Sequence, residues 1–475
     1  LNNAQYAGDS ITRTSAISYP KGKTMQWYNG SAKTLFDNWE FGDNPFYADY
    51  QVLGPSFAAV SVLMNVGDVL PVIVAARGCA MHIRFTIVAW GADFNLGPEA
   101  LPFIEVSRSD VIQGRYSASE GQLRALRRFI ERRDASRKPR LIVILANDDA
   151  LLTCADLEPL RRQVESATGV PAALLDVAPL SGTNQWVGYD KALGLLFERF
   201  WDAPVEKNDG VNLVGWKWPS RERTHDIGAC LALLDEVGVR VNHVLPGGSQ
   251  LDDFRDAFAA RANVIWCPSY IGEALERMER EKGIRLAGYR PPYGLEGTME
   301  WLGELGDALG NRAALLARAT AARERVLPEV EELRAHFRGK RGFVSGGPGR
   351  LPGLLSIMGD LGADIVAAAL YWPHASSRRV LPKSMEGLPN LPQTMLVAPG
   401  LHEIEAVARE YRPDFWMGGF QEQHACKRYG IPFVPTTVYT ASHQCFEGVV
   451  NVGRKIRKAM DGFDFVANPF QTVEG

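Results

Sequence analysis

The chain has 475 residues, 46% hydrophobic and 23% charged, an ordinary water-soluble composition and enough length for about three domains. A net charge of −3 gives no global basic field for nucleic acid, and no apolar run reaches the roughly 18 residues that cross a bilayer, so neither partner is expected. Six scattered cysteines form no disulfide framework, no CxxC or HExxH spacing suggests a conventional zinc site, and no secretory signal precedes the first domain, so cytoplasm is the expected compartment.

Residues 1–55 are polar and aromatic without period (Trp27, Tyr28, Trp39, Phe41, Phe46, Tyr47, Tyr50) and read as an arm that contacts a partner subunit. The pattern then becomes α/β, with buried-type strands expected at PVIVAA (71–76), LIVIL (141–145) and AALLDV (172–177). The basic stretch Arg124 to Arg140 reads as a solvated helix face, with an acidic docking partner as the alternative. A second unit opens at Val211–Trp216 and contains LLDEVGVRVNHVLP (233–246), a helix end, a turning glycine and a strand. Arg312–Arg338 is an alanine- and charge-rich helix that Pro328 is expected to interrupt. A third unit opens at Gly342–Ser345, and IMGDLGADIVAAAL (357–370) repeats the same grammar. The expected division is an arm (1–55) and three Rossmann-like, doubly wound parallel-sheet domains (56–208, 209–338, 339–475). GGPGRLPG (346–353) follows a strand but lacks the Walker lysine, and its prolines remove backbone donors, so it reads as a turn and no nucleotide site is expected.

One pattern occurs three times: apolar strand, polar loop, helix, glycine, strand, over 141–176, 263–288 and 414–437. In an open parallel sheet the loops after the strand C-termini line the ligand crevice. Only the middle copy, NVIWCPSYI, puts a thiol there, Cys267. Such a thiolate is a nucleophile or a metal ligand, and the rest of the chain favours metal.

The succession LLDEVGVRVNHVLP, NVIWCPSYI and GIRLAGYRPPYGLEGTMEWL (283–302), with RGCAMHIRF (77–85), SRSDVIQGR (107–115), SGTNQWVGYDKALG (181–194) and YRPDFWMGGFQEQHACKRYGIPF (411–433), resembles the α-type subunits of the nitrogenase component-one family from about residue 45 onward. The resemblance implies three α/β domains around a central cleft that holds a large iron–sulfur cofactor. It makes Cys267 the cofactor's cysteine ligand, Arg84 and Gln185 pocket residues, and Tyr189 the occupant of a position that is histidine in nitrogenase proper. Soft thiolate suits iron–sulfur clusters, while guanidinium and amide donors stabilise their negative charge.

The departures are informative. Where nitrogenase presents a second, histidine ligand, this chain reads FVPTTVY (433–439); His443 is the nearest replacement, its alternative reading being a histidine bonded to backbone in a surface turn, and His424 could serve too, although in an expected helix it reads rather as structural. Of three relay-cluster cysteines only Cys79 has a match, the other positions falling near Tyr50 and Asp148, of which Asp148 can ligate as a carboxylate. A bridging iron–sulfur relay would then draw on the partner. Cys154, Cys230, Cys426 and Cys445 are expected to be buried packing.

The resemblance thus implies an α-type catalytic subunit of a nitrogenase-like reductase, in an α2β2 heterotetramer with a homologous β-type subunit and fed by an ATP-hydrolysing iron–sulfur reductase dimer. Tyrosine in place of histidine changes the proton donor and argues against dinitrogen; a carbon–sulfur-cleaving relative, such as the methylthio-alkane reductases, fits a modified pocket. Two alternatives stand beside it: a chlorophyllide- or protochlorophyllide-type tetrapyrrole reductase, suggested by GTMEWL (297–302), and a scaffold for cofactor assembly.

Overall fold

Aliphatic and β-branched runs buried on both faces form parallel sheets, because only a sheet covered by helices on each side removes such strands from water. The computed structural model describes residues 54–90, 101–147, 150, 152–177, 185–216, 221–267, 271–371, 385, 388, 391–392, 394–397, 399–419, 422–436 and 441–466, with three short strands before them. Those are β1 (Ile17–Ser18), β2 (Thr24–Met25) and β3 (Tyr28–Asn29).

The first sheet holds β4 (Val69–Ala75), β5 (Phe103–Glu105), β6 (Leu141–Ala146) and β7 (Ala172–Asp176) in the order β5-β4-β6-β7, all parallel. The second holds β8 (Val211–Trp216), β9 (Val241–Pro246), β10 (Ala262–Ile265) and β11 (Arg285–Ala287) in the order β11-β10-β8-β9, again parallel. The third holds β12 (Arg341–Gly346), β13 (Asp364–Leu370), β14 (Thr394–Val397), β15 (Phe415–Gly418) and β16 (Phe433–Pro435) in the order β16-β15-β12-β13-β14. Its strands are parallel except for β3, which joins the β14 edge antiparallel, Tyr28 opposite Met395. Part of the arm expected to lie on a partner therefore completes this chain's own sheet.

The three sheets share one winding. The first strand of each lies inside, between the strand that follows it and a later one: β4 between β5 and β6, β8 between β9 and β10, β12 between β13 and β15. The chain reverses direction of winding at that place, where ligands bind at the strands' C-terminal ends in open α/β sheets. The α/β, parallel-sheet class expected from the sequence is thus observed. In all three repeats the helix ends on a left-handed glycine, Gly169, Gly283 and Gly430 at φ 69, 66 and 64, where a side chain would strain the turn into the next strand.

By compactness the chain divides into two units. One comprises Tyr50–Gly288 with Gly303–Leu315 and contains the first and second sheets; the other comprises Leu1–Asp49, Tyr289–Leu302 and Leu316–Gly475 and contains the third. Within the former, Asp68 joins the two sheets by accepting from the Leu251 amide at 2.7 Å, and Phe197 packs edge-on against Phe254 and Phe258.

Three local features bear on the expectations. Pro328 does not interrupt its helix, which runs unbroken over Arg312–Phe337. Burial of Val330, Leu333 and Phe337 beyond the proline offsets the one hydrogen bond it cannot donate. The basic helix Glu120–Glu131 buries only Leu126, and its Arg124 pairs along the same face with Glu120 at 3.1 Å, as a solvated helix does. The GGPGR segment is the expected turn: the Gly347 carbonyl accepts from the Arg350 and Leu351 amides at 3.0 and 2.9 Å, and the helix Arg350–Leu361 begins there.

Candidate functional site

The winding singles out residues that follow the C-terminal ends of the inner strands. At the second sheet these are Trp216, which ends β8, and Cys267, two residues past β10. Ile265 pairs with Val214, and the Trp266 amide donates to the Val214 carbonyl at 2.9 Å, so the ladder continues to the residue before Cys267. Cys267 is 3% exposed. The Trp216 indole nitrogen is buried and makes no hydrogen bond among the described residues.

Gln185 and Tyr189 are presented by the helix Gln185–Glu198, which follows β7. Four residues apart, they share one helix face, and both are buried. The Tyr189 ring lies 5.4 Å from that of Trp186. This helix is fixed against the start of the helix Pro55–Leu63 through Gly188, where an added Cβ would stand 2.0 Å from the Pro55 carbonyl oxygen. Ser56 in turn donates to the Val177 carbonyl just past β7 at 2.9 Å. The helix Gln185–Glu198 also packs on the helix Glu273–Lys282, which follows Cys267.

Arg84 is placed elsewhere on the first sheet. It lies half-buried in the helix Arg77–Trp90, its guanidinium 5.3 Å from the centre of the Phe103 ring on β5 and 3.7 Å from the Met81 sulfur. Because β5 and β7 are opposite edges of that sheet, this contact and the start of the Gln185 helix belong to different edges. Cys79 follows β4 but sits in the first turn of the helix Arg77–Trp90 rather than in a loop, and is exposed. Asp148 lies outside the described residues. Of the cysteines expected as packing, Cys230, Cys426 and Cys445 are buried, but Cys154 is exposed at φ 50.

His443 belongs to the other compact unit. It is 1% exposed, so the surface-turn alternative is overturned, whereas His424 is exposed on the helix Gln423–Tyr429. The strand-to-helix segment carrying His443 is tied by its neighbours. The Ser442 hydroxyl accepts from the Gln444 amide at 2.9 Å, Asn451 donates to the Ser442 carbonyl at 2.9 Å, and the Cys445 amide donates to the Pro292 carbonyl at 2.6 Å. Burial, with the positive charges of Lys455 and Arg350 nearby, holds the His443 imidazole well below its ordinary pKa, so it is neutral at physiological pH.

The donor set decides what can be held. Among the described residues no three histidine, cysteine or carboxylate groups converge on one point as a closed site for a lone ion would need. A buried soft thiolate fits a cluster that brings its own bridging sulfides and needs few protein donors.

The feature that sequence reasoning missed is Asp190, next to Tyr189. Its signal was negative: the helix Glu273–Lys282 is preceded by Gly272, which has no side chain to cap it.

Comparison with known proteins agrees with the winding. The chain is 23% identical over 325 residues to one chain, of the B type, of the light-independent protochlorophyllide reductase of Heliobacterium modesticaldum, covering 68% of this chain and 61% of that one. It is 25% identical over 311 residues to the nitrogenase molybdenum-iron protein alpha chain of Methanothermobacter thermautotrophicus, covering 63% of each. It thus spans somewhat over three fifths of these relatives' length. A solved structure described as nitrogenase Cp1 at pH 6.5 superposes with a TM-score of 0.69 at 16% identity, covering 91% of this chain and 92% of that one, a likeness of fold. Residues 55–461 match the model of one family throughout, and the chain belongs to it: the nitrogenase component 1 type oxidoreductases.

Proposed function

We propose that the chain is the α-type catalytic subunit of a nitrogenase-like reductase, paired with a homologous β-type subunit in an α2β2 assembly and fed by an ATP-hydrolysing iron–sulfur reductase dimer. The reading is supported above all by the buried Cys267 thiol just past β10, at the winding reversal of the second sheet. A large iron–sulfur cofactor held there would supply low-potential electrons to a small substrate. Cys267 is the proposed thiolate anchor. The Gln185 amide would donate hydrogen bonds to negative charge, and the Tyr189 hydroxyl would hold a proton on the same helix face. Tyrosine, with an ordinary pKa of about 10 against about 6.5 for histidine, parts with that proton less readily, which favours a substrate other than dinitrogen, such as a carbon–sulfur bond. Arg84 remains part of the proposed pocket set, and Cys79 with Asp148 the proposed contribution to a bridging relay cluster.

The assay is ATP-dependent reduction of a small thioether by the anaerobic complex with its iron–sulfur reductase. Turnover supports the enzyme. A complex that holds the cofactor and exchanges it without turnover would instead be an assembly scaffold. His443 is the proposed nitrogen ligand, since its neutral imidazole is the form that binds iron. Pulsed EPR should lose a nitrogen coupling in His443→Ala and keep it in His424→Ala; a coupling that survives in His443→Ala would end that role.

A second reading, one component of a tetrapyrrole reductase, is favoured by the likeness to the protochlorophyllide reductase chain. It leaves the buried Cys267 without a task and predicts bound pigment in the complex.

A further inference from the structure

Helix N-termini leave backbone N–H groups without intrahelical acceptors, and the residue before the helix usually supplies a side-chain oxygen. The helix Glu273–Lys282 cannot do this for itself, because its N-cap is Gly272. The acceptors come instead from a different helix. Asp190 Oδ2 accepts from the Glu273 amide at 3.1 Å and Asp190 Oδ1 from the Ala274 amide at 3.2 Å. Gly272 makes room for this: a Cβ there would stand 2.2 Å from both Asp190 Cγ and Oδ1.

Two fixed points flank Cys267 along the chain. Residues 268–272 separate Cys267 from the capped helix, and the Trp266 amide bond to Val214 holds the near end to β8. The far end is held by Asp190, on the helix that carries Gln185 and Tyr189. A carboxylate also suits the positive end of the helix dipole. Asp190 is half-buried, and burial raises its pKa above the ordinary carboxylate range against the opposing pull of the two amides.

We propose that Asp190 is a positioning residue that fixes the Cys267 segment to the helix presenting Gln185 and Tyr189, a role that presupposes the reading of Cys267 as the ligand. The cap governs how readily the buried Cys267 thiol becomes accessible, independently of whether a cluster is bound.

The test is the rate of iodoacetamide alkylation at Cys267 in the whole, metal-free chain, read by peptide mass against Cys230 and Cys426. A buried thiol reacts only when its surroundings open, so Cys267 reports its own segment and the two core cysteines report global opening. Asp190→Ala should raise the Cys267 rate relative to the core cysteines by about fivefold. Asp190→Asn, which keeps one acceptor oxygen, should restore much of the protection. Gly272→Ala should act in the same sense as Asp190→Ala by displacing the carboxylate, and it keeps the test readable should Asp190→Ala not fold. Cys267 rates that are unchanged, or that rise only in step with Cys230 and Cys426, would overturn the proposal. The wild-type iron content tests the ligand reading separately, because the alkylation ratio is measured without metal.

Discussion

Cys267→Ser should lower the iron retained by the purified complex more than about tenfold while the chain stays folded. Serine differs from cysteine by one atom, so packing at a site 3% exposed is nearly conserved, and the stability cost should be about 1 kcal/mol. The chemistry is not conserved: a hydroxyl at neutral pH is neither anionic nor soft, and iron in a sulfide cluster selects a thiolate. Cys426 provides the contrast. It lies in the core of the third sheet with Trp416 and Phe343, and burial together with the Glu422 carboxylate pushes its thiol pKa up, which makes it inert. Cys426→Ser should leave iron content unchanged. Iron equal to wild type in Cys267→Ser would reduce Cys267 to packing.

Gly188→Ala should be the most destabilising single-methyl change in the helix Gln185–Glu198. The added carbon would stand 2.0 Å from the Pro55 carbonyl oxygen and 2.7 Å from its carbon, and neither is the end of a flexible side chain. The backbone of one helix must move off the other, at a cost of about 3 kcal/mol or more. The same shift displaces Gln185 and Tyr189, so iron retention should fall as well. Gly194→Ala is the internal control. Its Cβ would meet only the Ala274 Cβ, at 3.7 Å, and alanine's helix propensity then makes the change neutral or stabilising by up to about 1 kcal/mol. Denaturant midpoints of the two variants check this, and equal midpoints would contradict it.

Much of the fold was legible because its signals are local. The strand at Leu141–Ala146 is an uninterrupted apolar run, the strand at Val211–Trp216 is apolar apart from Asn212 and Gly215, and Gly169, Gly283 and Gly430 mark the same helix-to-strand turn in three repeats. Sheet order was not legible, since pairing of β4 with β6 joins residues some seventy apart and depends on helices covering both faces. Pro328 misled because one local rule, the lost hydrogen bond, was weighed without the packing beyond it. The site divides in the same way. Cys267 could be found from strand-loop position alone, but the Asp190 cap crosses between helices 83 residues apart and leaves in the sequence only an uncapped glycine. The burial of His443 beside Lys455 and Arg350 was likewise not legible, because it depends on elements far apart in the chain.

The most direct measurement is iron and pigment analysis of the anaerobically purified complex of this chain with the proposed β-type partner. A cofactor anchored at Cys267 predicts roughly eight or more irons per αβ pair beyond any four-iron relay, and no tetrapyrrole. About four irons with bound tetrapyrrole, or no iron beyond a relay, would contradict it.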